Sequence, residues 1–349
     1  MISKECFTSQ WIEDISAKLE YNDKNLIEKV IRALSLLEML VRSGCPLTFK
    51  GGTALMLILG NSLHRLSIDI DIICPPGTDI EQYLETYQEH GFIRYQQVNK
   101  ESAGKDVPVS HAKVFYQIAY TDRSELNEYI RLDVLYEDCP YSNTQELPID
   151  SPFIKLDGEP LLVTVPKKED ILGDKMTAFA PNTIGIPYFK KDRECNMEII
   201  KQLYDINRLF ENVDDFGPAY ESFLKVSNVE LGYRGLEGRL SEFFEDVRQT
   251  AICIATRGQA GSGDFRDGFT QGTDGGFPGG EGFPLVNKAV AKYDGVVNRQ
   301  RQLQNHSHGV GNKADLGEDE VGAHVHQGGY TEGDDQNRDL CVGTAGEHQ

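Results

Sequence analysis

Residues 67 to 74, SIDIDIIC, alternate isoleucine with aspartate, and this limits what the chain can become more than any other feature. A period of two among β-branched residues specifies a strand, because an extended chain sends alternate side chains to opposite faces. Ile68, Ile70 and Ile72 then line one face for burial, while Asp69 and Asp71 stand together on the other. Two neighbouring carboxylates repel each other, and burying either without a partner is costly. A divalent cation is the natural partner. Mg²⁺, with Mn²⁺ as the alternative, takes one or two carboxylates together with the phosphate oxygens of a substrate.

Just upstream, the extended piece LTFK runs into GGTALMLILG, which reads as a turn followed by a helix. Gly51 and Gly52 let the backbone come close to a ligand, and a helix beginning at Lys50-Gly51-Gly52-Thr53 offers free N–H groups to an anion. A phosphate-cradling turn followed by a two-carboxylate strand suits a metal–triphosphate substrate. Asp133 in YIRLDVLYE is a third candidate carboxylate, on a strand expected to lie beside that of Asp69. Three such groups suit two metal ions in a group transfer; the alternative is an edge position paired with Arg131 or a nearby lysine.

The remaining pattern predicts helices over about 6–20 and 24–43, the second with Ile27, Val30, Ile31, Leu34, Leu37 and Val41 on one face, and a further helix over about 79–90. FIRYQQV, HAKVFYQIAY and YIRLDVLYED read as strands that join SIDIDIIC in a small sheet, and LLVTVP as another extended piece. Helical texture follows in KEDILGDKMTAFA, MEIIKQLYDINRLFE, PAYESFLKV and LEGRLSEFFEDVRQTAICIA. From residue 257 onward the chain carries 20 of its 34 glycines and five of its eight histidines, with no isoleucine. Too little apolar mass remains there to offset the entropy of ordering, so 257–349 is expected to be a disordered tail, or a stretch translated out of its original frame. His306, His308, His324 and His326 also leave a metal-binding tract open. The expected division is 1–150, 151–256 and the tail.

Seven scattered cysteines with no C-x-x-C spacing read as ordinary reduced thiols. No stretch is apolar over the roughly 18 residues a membrane span needs, and the polar, acidic N-terminus does not look like a secretory signal, so a cytoplasmic location is expected.

KGGTAL, Arg65 and Ser67 in HRLSIDID, VPKKEDILGDKMTAF and KQLYDINRLF together resemble the AbiEii/AbiGii toxin family of nucleotidyltransferases, within the polymerase-β-like superfamily. The resemblance spans roughly residues 20 to 215. It implies an α+β, bilobed enzyme: an N-terminal nucleotidyltransferase domain with a mixed sheet, and a helical C-terminal domain that closes the cleft. It also implies that Gly51, Gly52 and Thr53 hold the triphosphate and that Asp69 and Asp71 bind Mg²⁺. Lys175 would neutralise phosphates, and Asp205 is the aspartate of the later helix, with Lys201 one turn before it. Arg65 and Ser67 would position Asp69 or touch the nucleotide. The implied activity is transfer of a nucleotide from an NTP to tRNA, another RNA end or a protein hydroxyl, by the toxin of a toxin–antitoxin or phage-defence pair with a cognate antitoxin. A small-molecule acceptor such as an aminoglycoside, or an inactive remnant, are the alternatives.

Without the resemblance, Lys175 reads as a solvated lysine and Lys201–Asp205 as a surface ion pair at i, i+4. Residues 1 to 256 hold 27 Lys+Arg against 41 Asp+Glu, which offers no broad basic footprint for nucleic acid. The one basic cluster near the expected cleft is Lys167, Lys168, Lys190, Lys191 and Arg193.

Overall fold

The computed structural model describes residues 1–60, 65–98, 108–119, 127–190, 193–256 and 260–261. Apart from residues 260–261, the glycine-rich tail with its histidines lies outside the described residues, as does Lys191.

Two helices open the fold. Thr8 accepts a hydrogen bond from the Trp11 N–H and starts α1 (Ser9–Leu19), and Asp23 does the same for the Leu26 N–H at the head of α2 (Lys24–Arg42). The expected first helix therefore begins later than residue 6, because Lys4–Phe7 forms a separate 3₁₀ turn. The chain then makes β1 (Thr48–Lys50), α3 (Gly51–Leu59), β2 (Ile70–Cys74), β3 (Arg94–Gln97), β4 (Val109–Gln117) and β5 (Asn127–Tyr136). These strands form one mixed sheet in the order β1-β2-β5-β4-β3; β2 and β5 run parallel and the other pairs antiparallel.

Two expectations are corrected here. The isoleucine–aspartate strand begins only at Ile70, because its neighbour β1 ends at Lys50 where the chain turns into α3, leaving Asp69 just ahead of the ladder. The helix expected over 79–90 is two short 3₁₀ turns, Ile80–Tyr83 and Tyr87–His90. Ile80 and Leu84 are buried in the core and Tyr87 meets Tyr95 edge-on with ring centres 5.7 Å apart, so tertiary contacts override helix propensity.

One face of the sheet is apolar. Phe49, Ile70, Ile72, Leu132, Val134 and Ala112 occupy it and share a core cluster with Ile27, Ile31, Leu34 and Leu37 of α2. Helix α2 is buried along most of its length, so its charged residues have specific partners. Arg32 reaches Glu28 at 3.4 Å, and Glu38 accepts the Ile2 N–H at 3.0 and 3.1 Å.

Beyond the sheet, β6 (Thr144–Pro148) pairs with β7 (Leu162–Pro166), and β8 (Phe189–Lys190) with β9 (Arg193–Glu194). Helices α4 (Lys168–Met176), α5 (Asn196–Asn212), α6 (Gly217–Tyr233) and α7 (Leu240–Ala255) gather around a second cluster that includes Ile171, Leu203, Phe223 and Phe243. Leu55 of α3 is buried in that second cluster, whereas Ala54 belongs to the first. The helix that begins at Gly51-Gly52-Thr53 therefore touches both cores. Among the described residues, no helix is long and apolar enough to cross a membrane, and Cys6, Cys45, Cys74, Cys139, Cys195 and Cys253 are free thiols.

Candidate functional site

Strand register brings the sequence candidates into one row. Lys50 pairs with Asp71, Asp71 with Asp133, and Asp133 with His111. Directly paired residues share a sheet face, so these four side chains stand side by side across four strands, opposite the apolar face that meets α2. Asp69 follows on the same face, one residue before β2.

Lys50 has an extended backbone and heads α3 without a side-chain cap. The first N–H groups of that helix therefore have no partner within it. Gly51 sits at φ +78°, and a Cβ there would fall 2.0 Å from Asp71 Oδ2. A Cβ on Gly52 would meet Ser67 Oγ at 2.7 Å and Arg65 Nη2 at 2.8 Å. The two glycines are thus what lets the helix start press against Asp71 on one side and against Arg65 and Ser67 on the other. Thr53 is wholly buried, and its hydroxyl has no hydrogen-bond partner among the described residues.

Asp71 is 8% exposed, and no side-chain partner for its carboxylate occurs among the described residues. Burial, then Asp133 and Asp69, push its carboxyl well above the usual range, and Lys50 and Lys175 offset this only in part. Asp69 is also raised, first by burial; Asp133 adds to the shift, and Arg131, Lys201 and Lys29 oppose it. Arg131 bears on Asp69, and Asp133 meets His111 Nδ1 at 2.6 Å. Among the described residues, no three His, Cys, Asp or Glu side chains form a ready-made metal cage.

A second group lies where α4 and α5 face the Arg65 segment. Asp205 is fully buried and takes Arg65 Nε and Nη2 on its two oxygens, both at 2.5 Å, with Lys175 Nζ at 2.9 Å. Gln202 Oε1 accepts from Lys175 Nζ at 3.2 Å. Burial works against the Asp205 charge, but Lys175 and Arg65 outweigh it and hold the carboxyl below its ordinary value. Lys175 is therefore buried and paired rather than solvated, and Asp205 turns inward rather than toward Lys201. Lys201 remains exposed and acts on Asp69 instead.

Lys50 belongs to a third group. Its Nζ lies 3.2 Å from Asp174 Oδ2, which also accepts from the Tyr141 hydroxyl at 2.8 Å. Burial opposes the Lys50 charge, yet Asp174, Tyr141 and Glu137 more than reverse this and raise the ammonium well above its usual range. The adjacent residues Asp174 and Lys175 thus bind two separate parts of the site into α4. The expected basic cluster is partly spent: Lys168 Nζ donates to the Asn212 carbonyl, and Arg193 pairs with Glu198 at 2.7 Å. His111, Asp174 and Gln202 escaped the sequence reading, since only strand register and helix packing bring them to the site.

A sequence profile described as nucleotidyl transferase AbiEii toxin, type IV toxin–antitoxin system, matches residues 35–272. The chain belongs to the AbiEii family. It is accordingly a nucleotidyltransferase of the toxin class, and membership implies a nucleotide substrate and an antitoxin partner. The matched region starts later and ends later than the resemblance suggested, and it runs past the compositional break at 257. Among solved structures, JHP933 from Helicobacter pylori shares 14% identity, covering 86% of this chain and 100% of that one, with a TM-score of 0.33. MenT4, a nucleotidyltransferase toxin from Mycobacterium tuberculosis, shares 16% identity over 62% of this chain and 70% of its own, with a TM-score of 0.40. No curated protein matches. The assignment rests on the family match.

Proposed function

We propose that this AbiEii-family toxin transfers a nucleotide from an NTP to an RNA end, with tRNA the foremost acceptor, and that Asp69, Asp71 and Asp133 hold a divalent cation. One observation carries the reading: the glycine-built helix start at Gly51-Gly52 lies directly against the Asp71 carboxylate, so a triphosphate and its metal would meet at a single place. The residues fit the ion. Asp71 is buried beside two like charges that Lys50 and Lys175 offset only in part, and the all-oxygen donor set suits Mg²⁺ or Mn²⁺, which take remaining ligands from water and phosphate. When bound, the cation would neutralise developing negative charge on the triphosphate and favour the alkoxide form of the acceptor hydroxyl.

The chain's own groups complete the arrangement. The free N–H groups of α3 and the Arg65 guanidinium face the phosphates, and Lys175 adds positive charge from α4. The acceptor oxygen bonds to the α-phosphorus as the α–β anhydride bond breaks and pyrophosphate leaves. Asp133, aligned by His111, stands ready to take the hydroxyl proton. Asp205 is assigned to position Arg65 and Lys175 rather than to touch substrate. In this reading the two core clusters are two lobes, β7 still belonging to the first and helices α4–α7 of the second closing on the nucleotide; the protein acts in the cytoplasm in toxin–antitoxin or phage-defence biology.

The test is incubation of the purified chain, beside Asp69→Ala/Asp71→Ala, with Mg²⁺, each α-³²P-labelled NTP, total tRNA and cell extract. Label on RNA with wild type alone supports the proposal. Label confined to protein, or to a small molecule such as an aminoglycoside, replaces the acceptor; no transfer with any acceptor or metal defeats it.

A further inference from the structure

Along the carboxylate face the sheet changes character. The next row after Asp71–Asp133–His111 contains Arg131, Lys113 and Gln96, with Asp69 at its end; the following row contains Tyr129, Phe115 and Arg94. Each row lies about 7 Å farther along the strands, so Arg94 stands about 14 Å from the row of Asp133. Both β3 and β4 place a cation over a ring: Arg94 sits 3.5 Å from the centre of Phe115, and Lys113 Nζ 4.2 Å from the centre of Tyr129. The rings themselves lie 5.6 Å apart. A cation over an aromatic face is held in place by the ring quadrupole, so less of its freedom is lost when it meets a ligand. Asp69 is the one acidic residue in these two rows, in a chain whose first 256 residues carry 41 acidic against 27 basic side chains.

We propose that Arg94 and Lys113, seated on Phe115 and Tyr129, form the track that binds the single-stranded end of an acceptor RNA and leads its terminal hydroxyl toward Asp133. This deepens the nucleotidyl-transfer reading and rests on it. The chemistry favours RNA over a protein segment because spaced cations meet successive phosphates, while an exposed guanidinium such as that of Arg94 also stacks on an unpaired base. The track begins one row from the carboxylates, whereas a protein acceptor would gain nothing specific from a ring-and-cation ladder. It also removes the difficulty raised by the acidic composition, since a local track needs no basic footprint over the rest of the surface.

The experiment measures fluorescence anisotropy of a labelled mixed-sequence single-stranded oligoribonucleotide, and of total tRNA in competition, with the full chain at several salt concentrations. Wild type is compared with Arg94→Ala/Lys113→Ala, with the milder Arg94→Gln/Lys113→Gln, and with Lys24→Ala/Lys155→Ala, which removes two surface lysines on other parts of the fold. Thermal unfolding of each variant identifies any loss of folding, and the glutamine pair keeps the side-chain bulk if the alanine pair unfolds. Either folded Arg94/Lys113 variant should bind RNA about tenfold more weakly, with a log–log salt slope smaller by roughly 1.5, while the Lys24/Lys155 control matches wild type. Equal binding by all folded variants, or no binding by wild type at low salt, overturns the track. Asp69→Ala/Asp71→Ala separates the two ideas. If it binds RNA as wild type does and the cation variants do not, the track stands even where no chain transfers nucleotide, and only the transfer reading falls. If transfer to RNA persists while the cation variants bind RNA normally, the track alone falls.

Discussion

The carboxylate row on the sheet and the Arg65–Asp205–Lys175 group are both buried and both charged, yet they are built on opposite principles. Asp71 lies beside Asp133 and Asp69 with its carboxyl driven upward, whereas Asp205 has two cations on its two oxygens and is held below its ordinary value. An under-compensated cluster stores electrostatic repulsion that an added cation relieves. A compensated one spends its charges on holding elements together, since removing one partner exposes the others to the full cost of burial. The contrast separates the proposed cation site from the joint that supports it.

Replacing one charge in each region therefore gives opposite results. Asp71→Asn should abolish nucleotide transfer, by about 10³-fold or more, while raising the melting temperature, because it removes like-charge repulsion without changing shape. Transfer assays and thermal unfolding of the same preparation test both halves; a variant that is both inactive and less stable would mean that Asp71 is structural. Asp205→Ala should do the reverse to stability, costing about 3–5 kcal/mol, because Lys175 is left buried, and Arg65 half-buried, without their counter-ion. Urea unfolding measures it, and a loss below about 1 kcal/mol would show that water reaches this group and the pairing is dispensable.

A third region lies between these extremes. Glu230 near the end of α6 is driven up to about 7 chiefly by burial, with Arg234 and Lys50 opposing and Asp174 and Glu137 adding to the shift. Because the folded protein binds this proton more tightly than the unfolded chain, the stabilising contribution is complete below the ordinary value of 4.5 and disappears as pH rises through 7. Wild-type stability should therefore fall by up to about 3 kcal/mol across that window, and Glu230→Gln should flatten the slope. Urea midpoints measured from pH 4.5 to 8 decide it, and identical slopes would place Glu230 in water.

What could be read from the chain follows the range of the forces involved. The Asp69–Asp71 alternation, the Gly51-Gly52 turn and the apolar stripe of α2 are local patterns, and each reappears as an element within a few residues. The 79–90 segment has helical composition, but burial of Ile80 and Leu84 against the sheet breaks it into two turns. Lys175 and Asp205 were visible only through the family pattern, and their contact joins residues on separate helices; Arg65 reaches Asp205 across 140 positions. Nothing in the local sequence marks such a partner. Conversely, Lys201 stands at the textual spacing for pairing with Asp205, yet burial selects Arg65 and Lys175 instead.

His111 was the least legible residue, because it lies in an ordinary strand and acquires a role only through its register opposite Asp133. It also tests whether the carboxylate row is wholly under-compensated or has one prearranged member. At 2.6 Å its Nδ1 fixes one oxygen of Asp133. If that orientation matters, His111→Ala should lower kcat about ten- to thirtyfold with little change in KM for the NTP, since the ground-state triphosphate is held elsewhere. His111→Asn, whose amide can donate from nearly the same place, should recover most of the loss. A fall in stability that tracks the fall in kcat for both variants would instead make the pair a brace between β4 and β5, and the row would then contain no member oriented in advance.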